Sequence, residues 1–375
     1  MNSQLVRHLS YLEQDPENSQ LLCDIAHMEY LEGKTEDAWA HAQRAIASAE
    51  ALPLAYTILG LVASDHGRME EAANHFAKAI GLGDSDPYIL FRYAQALALT
   101  KRFTEAEGPA RAAAADVVRA PDAELLLVRV LHYLGNVEEA IGVAQTAIEA
   151  GRGSARLYSM LSTLLVDNSD FEGAAKASAQ ALILNPDDPE ALATQGLVSL
   201  NALNSQEALI DFQRAIASQP ANGRAHLGEG LSYMLTGELG RAAESIDHAT
   251  THMPTHVGTY HALAWCHILN KDVDAAEKAL NTAYELNHNF GETHGGLAIV
   301  AIMRGQLDKA KKYAQQATRL DKNSVSAQFA QVLIQEASGK PGRAKQMMET
   351  LLTQPILANG QTVKQAVAKY LAKQV

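Results

Sequence analysis

An all-α solenoid of antiparallel helix pairs is the fold this sequence predicts, on three observations. Alanine recurs every 34 residues, at Ala38, Ala72, Ala106, Ala140, Ala174, Ala208, Ala242, Ala276, Ala310 and Ala344. A second alanine series follows seven residues behind, from Ala45 to Ala317, with Leu351 as its one substitution. Glycine stands five residues ahead of the first series at Gly33, Gly67, Gly135, Gly237, Gly305 and Gly339. A fixed period of 34 residues is that of a stacked helix–turn–helix unit. Small residues at two points per period bring two helices into a close crossing. The glycine ends the first helix of each pair in a left-handed turn.

Ten repeats then start at residues 19, 53, 87, 121, 155, 189, 223, 257, 291 and 325. Within each, helix A is expected near positions 2–14 and helix B near positions 17–30, with the alanines at positions 20 and 27. Pro16, Pro186, Pro220 and Pro254 fall just after a helix B. Pro53, Pro87, Pro121 and Pro189 stand at position 1, where the missing N–H costs nothing. The organisation is a capping helix in residues 1–18, ten repeats over 19–356, and a second capping helix in 357–375. Leu5, Leu9 and Leu12 give the first cap an apolar face, and Val363, Val367, Tyr370 and Leu371 do so for the second. Such end helices shield the open faces of a stacked array. Gly108-Pro109 falls inside helix B of the third repeat. There it is either an irregularity tolerated near the first turn or a bend that notches the surface.

Composition narrows the classes of function. No run of 18 apolar residues is present, so no membrane-spanning helix is expected. The first residues lack a basic-then-apolar signal pattern, and the expected setting is cytoplasmic. Cys23 and Cys266 lie seven repeats apart and are expected as free, buried thiols. Charge is unevenly spread: residues 301–375 carry a net +8, and the first 300 residues a net −20.

Small residues at position 8, Gly at 15, Ala at 20 and 27, and Pro at 32 together make the chain resemble the tetratricopeptide repeat family. Gly230, Tyr233, Gly237, Ala242, Ala249 and Pro254 show the pattern in one repeat, and Tyr56, Gly60, Gly67, Ala72, Phe76 and Ala79 in another. The resemblance implies a right-handed superhelix whose concave groove is lined by positions 2, 5, 9, 12 and 13 of the helices A. It would place Tyr88, Phe91, Gln95, Leu125, Arg129, Tyr133 and Arg156 in that groove, with Arg92 beside them. Further along it would place Leu227, Leu231, His261, Trp265, Ile299 and Phe329 there. An apolar trough of this kind suits an extended segment, a loop or an amphipathic helix of a partner protein. The implied role is a non-catalytic adaptor or scaffold. By resemblance to bacterial relatives, its setting is a pilus, secretion or envelope-polysaccharide assembly.

Two sub-types of the family do not fit. The Lys-5/Asn-9 pair of the chaperone-binding members is replaced by Cys23 and His27, and no asparagine ladder runs along position 6. No phosphate-binding loop, nucleophile elbow or HExxH motif is present, so no catalytic residue and no cofactor are expected. Two alternatives stay open. One is self-assembly through the acidic body and a basic C-terminal end, where Lys309, Lys311, Lys312, Arg343 and Lys345 cluster on the last helices B. The other is a metal-binding or enzymatic role for the histidines between His248 and His294, of which His248 and His252 have ligand-like spacing. No nucleic-acid partner is expected for so acidic a chain.

Overall fold

The computed structural model describes residues 3–48, 52–354, 362 and 364–365. Among these residues there are twenty-one α-helices and no strand. Contacts divide the chain into two units, Met1–Met160 and Leu161–Val375. The first contains α1 (Ser3–Leu12), α2 (Ser19–Leu31), α3 (Thr35–Ser48), α4 (Pro53–Asp65), α5 (Met69–Gly81), α6 (Pro87–Leu99), α7 (Phe103–Ala114), α8 (Ala123–Tyr133) and α9 (Val137–Glu149). The boundary falls within α10 (Ala155–Asp167). The second contains α11 (Phe171–Leu184), α12 (Pro189–Asn201), α13 (Ser205–Ser218), α14 (Gly223–Thr236), α15 (Leu239–His252), α16 (Val257–Leu269), α17 (Val273–Leu286), α18 (Gly291–Met303), α19 (Leu307–Leu320), α20 (Val325–Ala337) and α21 (Pro341–Thr353). The even-numbered helices from α2 are helices A, and the odd-numbered helices from α3 are helices B. The predicted bounds hold to within about two residues in most repeats.

Local chemistry sets each boundary. Helices A begin behind side-chain caps: Asn18 accepts from the Leu21 N–H at 3.0 Å, Asp188 from Ala191 at 2.9 Å, and Asn222 from Ala225 at 3.0 Å. Pro53, Pro87 and Pro189 open α4, α6 and α12 as predicted. Pro121 does not open a helix. The third repeat ends early at Ala114, and Pro121 lies in the turn before α8, which starts at Ala123. Position 15 is left-handed in all ten repeats, including those without glycine. Lys101, Ser169, Leu203 and Lys271 have φ of 62°, 61°, 60° and 61°. Most helices B carry acidic residues in their first turn, as in α3, α5 and α9, where the helix dipole favours them. Pro109 sits within α7, which continues through it.

The periodic alanines form the core. Those at position 20 are fully buried from Ala38 to Ala310, with Ala344 at 5% exposure, and those at position 27 are fully buried from Ala45 to Ala317. Between the crossings, position 24 holds large buried side chains in four repeats, Phe76, Phe212, Ile246 and Leu280, and Ala or Ser in most others. Phe76 fits because position 8 opposite it is Gly60, where a Cβ would lie 2.6 Å from the ring. Phe212 likewise fills the space left by Gly196 and Gly228. At the N-terminal end α1 buries Leu5 and Leu12. The expected C-terminal cap lies almost wholly outside the described residues. Cys23 and Cys266 are free and buried, and burial pushes both thiols up to about 11. No helix among the described residues is long and apolar enough to cross a membrane.

Two substitutions test this packing. Ala174→Leu puts a large side chain into a fully buried crossing and should lower stability by roughly 1–3 kcal/mol, read from urea unfolding. Lys271→Gly relieves a left-handed residue whose side chain is exposed. It should raise stability by roughly 0.5–1 kcal/mol, the left-handed penalty less the extra freedom glycine gives the unfolded chain.

Candidate functional site

In the first unit, positions 2, 9, 12 and 13 of α2, α4 and α6, with Ile58 at position 6 and Ile89 at position 3, converge on an open cavity. Leu54, Ile58, Leu61 and Ile89 form its apolar floor, Tyr30, Leu31 and Tyr88 its walls, and Asp84, Asp86 and Arg119 part of its rim. Leu31 is 72% exposed and Tyr88 41%, a large apolar area for side chains at the ends of otherwise well-packed helices. A polar network holds this face rigid. The Arg92 guanidinium donates to the Tyr88 hydroxyl at 2.8 Å, the Asp65 carboxylate at 2.7 Å and Ser64 Oγ at 2.9 Å. Tyr30 Oη donates to the other Asp65 oxygen at 2.8 Å. The network ties three successive repeats together. Burial, aided by Asp65, pushes the Tyr30 hydroxyl up to about 12, so it stays a donor.

Arg92 therefore positions neighbouring side chains and has little guanidinium free for a ligand. Phe91 is half-buried against Ala113 and Ala120, and Gln95 and Leu125 are also half-buried. Arg129 and Arg156 are exposed. Tyr133 is 63% exposed and stacks on Phe103 with ring centroids 4.3 Å apart.

In the second unit an aromatic cluster forms from positions 5 and 9 of α16, position 5 of α20 and Phe290, the N-cap of α18. Trp265 Nε1 donates to His261 Nε2 at 3.3 Å, and the Trp265 and Phe329 centroids lie 6.0 Å apart. Phe290 meets the His261 ring edge-on at 6.0 Å. Glu292 reaches from one repeat to cap the next helix A, accepting from the Val325 and Ser326 N–H groups at 2.8 and 3.1 Å and from the Ser326 hydroxyl. Burial lowers the proton affinity of His261, with the nearby Glu292 carboxylate opposing the shift. Leu227 and Leu231 are half-buried.

Ile299 is not a surface residue. It is 1% exposed because α18 is covered by α20, which approaches so closely that a Cβ on Gly295 would lie 2.6 Å from the Ala327 nitrogen.

The repeat positions also reach residues that had not been singled out. Tyr30, Leu31, Leu54 and Leu61 follow from extending the same rule to the first two repeats. Position 13 carries exposed apolar side chains repeatedly, at Leu31, Leu99 and Tyr133 in the first unit and Leu235, Leu269 and Met303 in the second.

The basic residues Lys309, Lys311, Lys312, Arg343 and Lys345 are all exposed on α19 and α21. The histidines do not converge as ligands. Among the described residues no group of three or more His, Cys, Asp or Glu is placed to hold a metal ion. His226 instead stacks between His248 and His252, with centroids 5.5 and 5.8 Å away.

Sequence profiles of the tetratricopeptide repeat match residues 23–87, 59–117, 159–212 and 194–251, and a further profile of that repeat matches 257–290. A curated relative, the BBSome complex member bbs-4 of Caenorhabditis elegans, is 26% identical over 182 residues, 46% of this chain and 39% of that protein. The chain thus spans about two-fifths of the length of that relative. Among solved structures, the Cut9–Hcn1 hetero-tetramer of the APC/C is similar at a TM-score of 0.54 and 13% identity, over 92% of this chain and 82% of that one. A monomeric IFIT1 mutant with m7Gppp-AAAA is similar at a TM-score of 0.52 and 13% identity, over 89% and 90% of the two chains. Similarity at this identity shows the fold alone.

The buried His261 gives the second unit an acid-sensitive step. Its folded proton affinity lies below the unfolded value near about 6.5, so the unfolded state takes up the proton first as pH falls. Stability is fully present above that pH and declines from there down to the folded pKa. His261→Gln keeps an acceptor for Trp265 and removes the titration. Urea unfolding followed by Trp265 fluorescence in a Trp39→Phe background should show a shallower loss between pH 7.5 and 5.5 in the variant, by about 1.4 kcal/mol per unit of lowering. Equal acid losses in both proteins would remove His261 from this role.

Proposed function

The chain belongs to the tetratricopeptide repeat family, and on that premise we propose that it is a non-catalytic adaptor that holds a segment of a partner protein against the exposed faces of its helices A. The observation that carries this reading is the cavity of the first unit. There Leu31 and Tyr88 stand open above an apolar floor while the Tyr30–Asp65–Arg92–Tyr88 network fixes their surroundings. Aromatic and apolar side chains held in place before binding lose little freedom on binding, which is what makes a strong anchor site. The Trp265–Phe329 cluster offers a second anchor in the other unit.

The partner suited to these sites is a helix, loop or extended segment with apolar residues at intervals that match the repeats. As its setting we propose a cytoplasmic role in a multiprotein assembly of the bacterial pilus, secretion or envelope-polysaccharide kind, on family resemblance alone.

Capture of partners from native lysate by wild type, by Leu31→Glu/Tyr88→Ser and by Trp265→Ala/Phe329→Ala tests the reading. Leu31 and Tyr88 are exposed and the Tyr30–Asp65–Arg92 bonds remain in the first variant, so it should melt within a few degrees of wild type yet lose a bound protein that wild type retains. A partner set unchanged in both variants would move the binding surface away from the helices A.

A further inference from the structure

The first turns of the helices B reverse their charge along the chain. Position 19 is Asp37 on α3, Glu71 on α5, Glu105 on α7 and Glu139 on α9. The same position is Arg241 on α15, which pairs with Glu238 at 2.8 Å, then Lys309 on α19 and Arg343 on α21, and Lys311 and Lys345 follow two residues later. A carboxylate at a helix N-terminus is favoured by the helix dipole, whereas a cation there is opposed by it. Arg343 on α21 therefore stands against its own helix dipole, and on α19 Lys309 offsets the favourable Asp308 beside it.

Local partners do not account for these cations. Lys309 lies 3.8 Å from Glu277, and Lys311 lies 3.6 Å from the almost fully exposed Asp308. Arg343 and Lys345 have no ion pair among the described residues. In the first unit, by contrast, Arg102 bridges Glu70 and Glu105 at 2.9 and 2.7 Å, and Arg111 holds Glu139 at 2.6 Å. Those pairs neutralise only part of the acidic edge, because Glu36, Asp37 and Glu138 have no ion pair among the described residues. The imbalance extends over the chain, at +8 for residues 301–375 and −20 for the rest.

We propose that the α19–α21 edge of one copy docks on the α3–α9 edge of a second copy of this chain, head to tail. Both edges are built from the same repeat position, so each presents its charges once per repeat and the spacings match. Complementary charge of this kind steers and orients association. The contact joins two different surfaces, so each added copy leaves an acidic and a basic edge free at its ends, and assembly continues beyond a dimer. The edges lie on helices B, so the faces of the helices A stay open for a partner, and the inference stands independently of the groove reading.

Sedimentation velocity of the full chain at about 0.05 M and about 0.5 M NaCl reads the contact, because screening acts within a few ångströms at the higher salt. Wild type should form concentration-dependent oligomers at low salt and be monomeric at high salt. Two charge reversals should each be monomeric at both salts: Lys309→Glu/Lys311→Glu/Arg343→Glu/Lys345→Glu, and Glu36→Lys/Asp37→Lys/Glu138→Lys. The first places carboxylates where the dipole favours them, so an unchanged or raised melting temperature confirms that it folds. Mixing the two reversed proteins should restore association, since each then offers the edge the other lacks. A monomeric wild type at low salt overturns the proposal, as do oligomers indifferent to salt or to the reversals. A monomer that instead floats with vesicles of anionic phospholipid also overturns it and assigns the basic edge to a lipid surface.

Discussion

Everything in this structure depends on how closely helix A and helix B cross. The alanines at positions 20 and 27 are fully buried in nearly every repeat, which holds two backbones at a distance that only a small side chain fits in all but the last repeat. That distance fixes what the other positions must be. Phe76 and Phe212 can occupy position 24 only because Gly60 and Gly196 leave room opposite them. The turn between the helices has one geometry that suits the crossing, and it is left-handed at position 15. Lys101, Ser169, Leu203 and Lys271 adopt it although their side chains disfavour it, because the packing of two helices outweighs a local penalty of about 1–2 kcal/mol.

The same constraint explains what could be read from the sequence. A 34-residue period with two small residues per unit leaves one architecture, so the helix bounds and the core were legible. The exceptions are places where a single repeat departs from the period. Pro121 stands at the position where Pro53, Pro87 and Pro189 start helices, yet α7 ends early at Ala114 and the following turn absorbs the proline. Ile299 stands at a groove position, yet Gly295 lets α20 come down over it. That burial depends on an approach between two helices of different repeats, for which the adjacent glycines are the only trace in the sequence.

The candidate site was less legible, for a related reason. Its apolar members follow the period, and applying position 13 throughout would have found Leu31, Leu99, Leu235 and Leu269. Its polar members do not. The sequence places Arg92 beside the groove and assigns it no partner, because Ser64 and Asp65 stand at positions that hold other residues in neighbouring repeats. A hydrogen-bond network that links three repeats through residues that do not repeat leaves no periodic signal. The Glu292 cap on α20 is hidden in the same way.

A periodic scaffold thus separates two kinds of information. Positions that recur define the stack, and side chains that break the recurrence define the surfaces. Charge at position 19 follows that division. Carboxylates in α3 to α9 agree with the helix dipole and need no further explanation, since each favours its own helix by roughly 0.3–1 kcal/mol. Arg343 at the same place in α21 loses a similar amount, and Lys309 in α19 cancels the gain from Asp308 beside it, which a stack of this size tolerates. The loss is small enough to persist and consistent enough, across two successive repeats, to mark an edge whose charge is matched elsewhere. In the first unit the acidic edge lies on helices B and the apolar cavity on helices A, so that unit can hold two unlike contacts without either blocking the other.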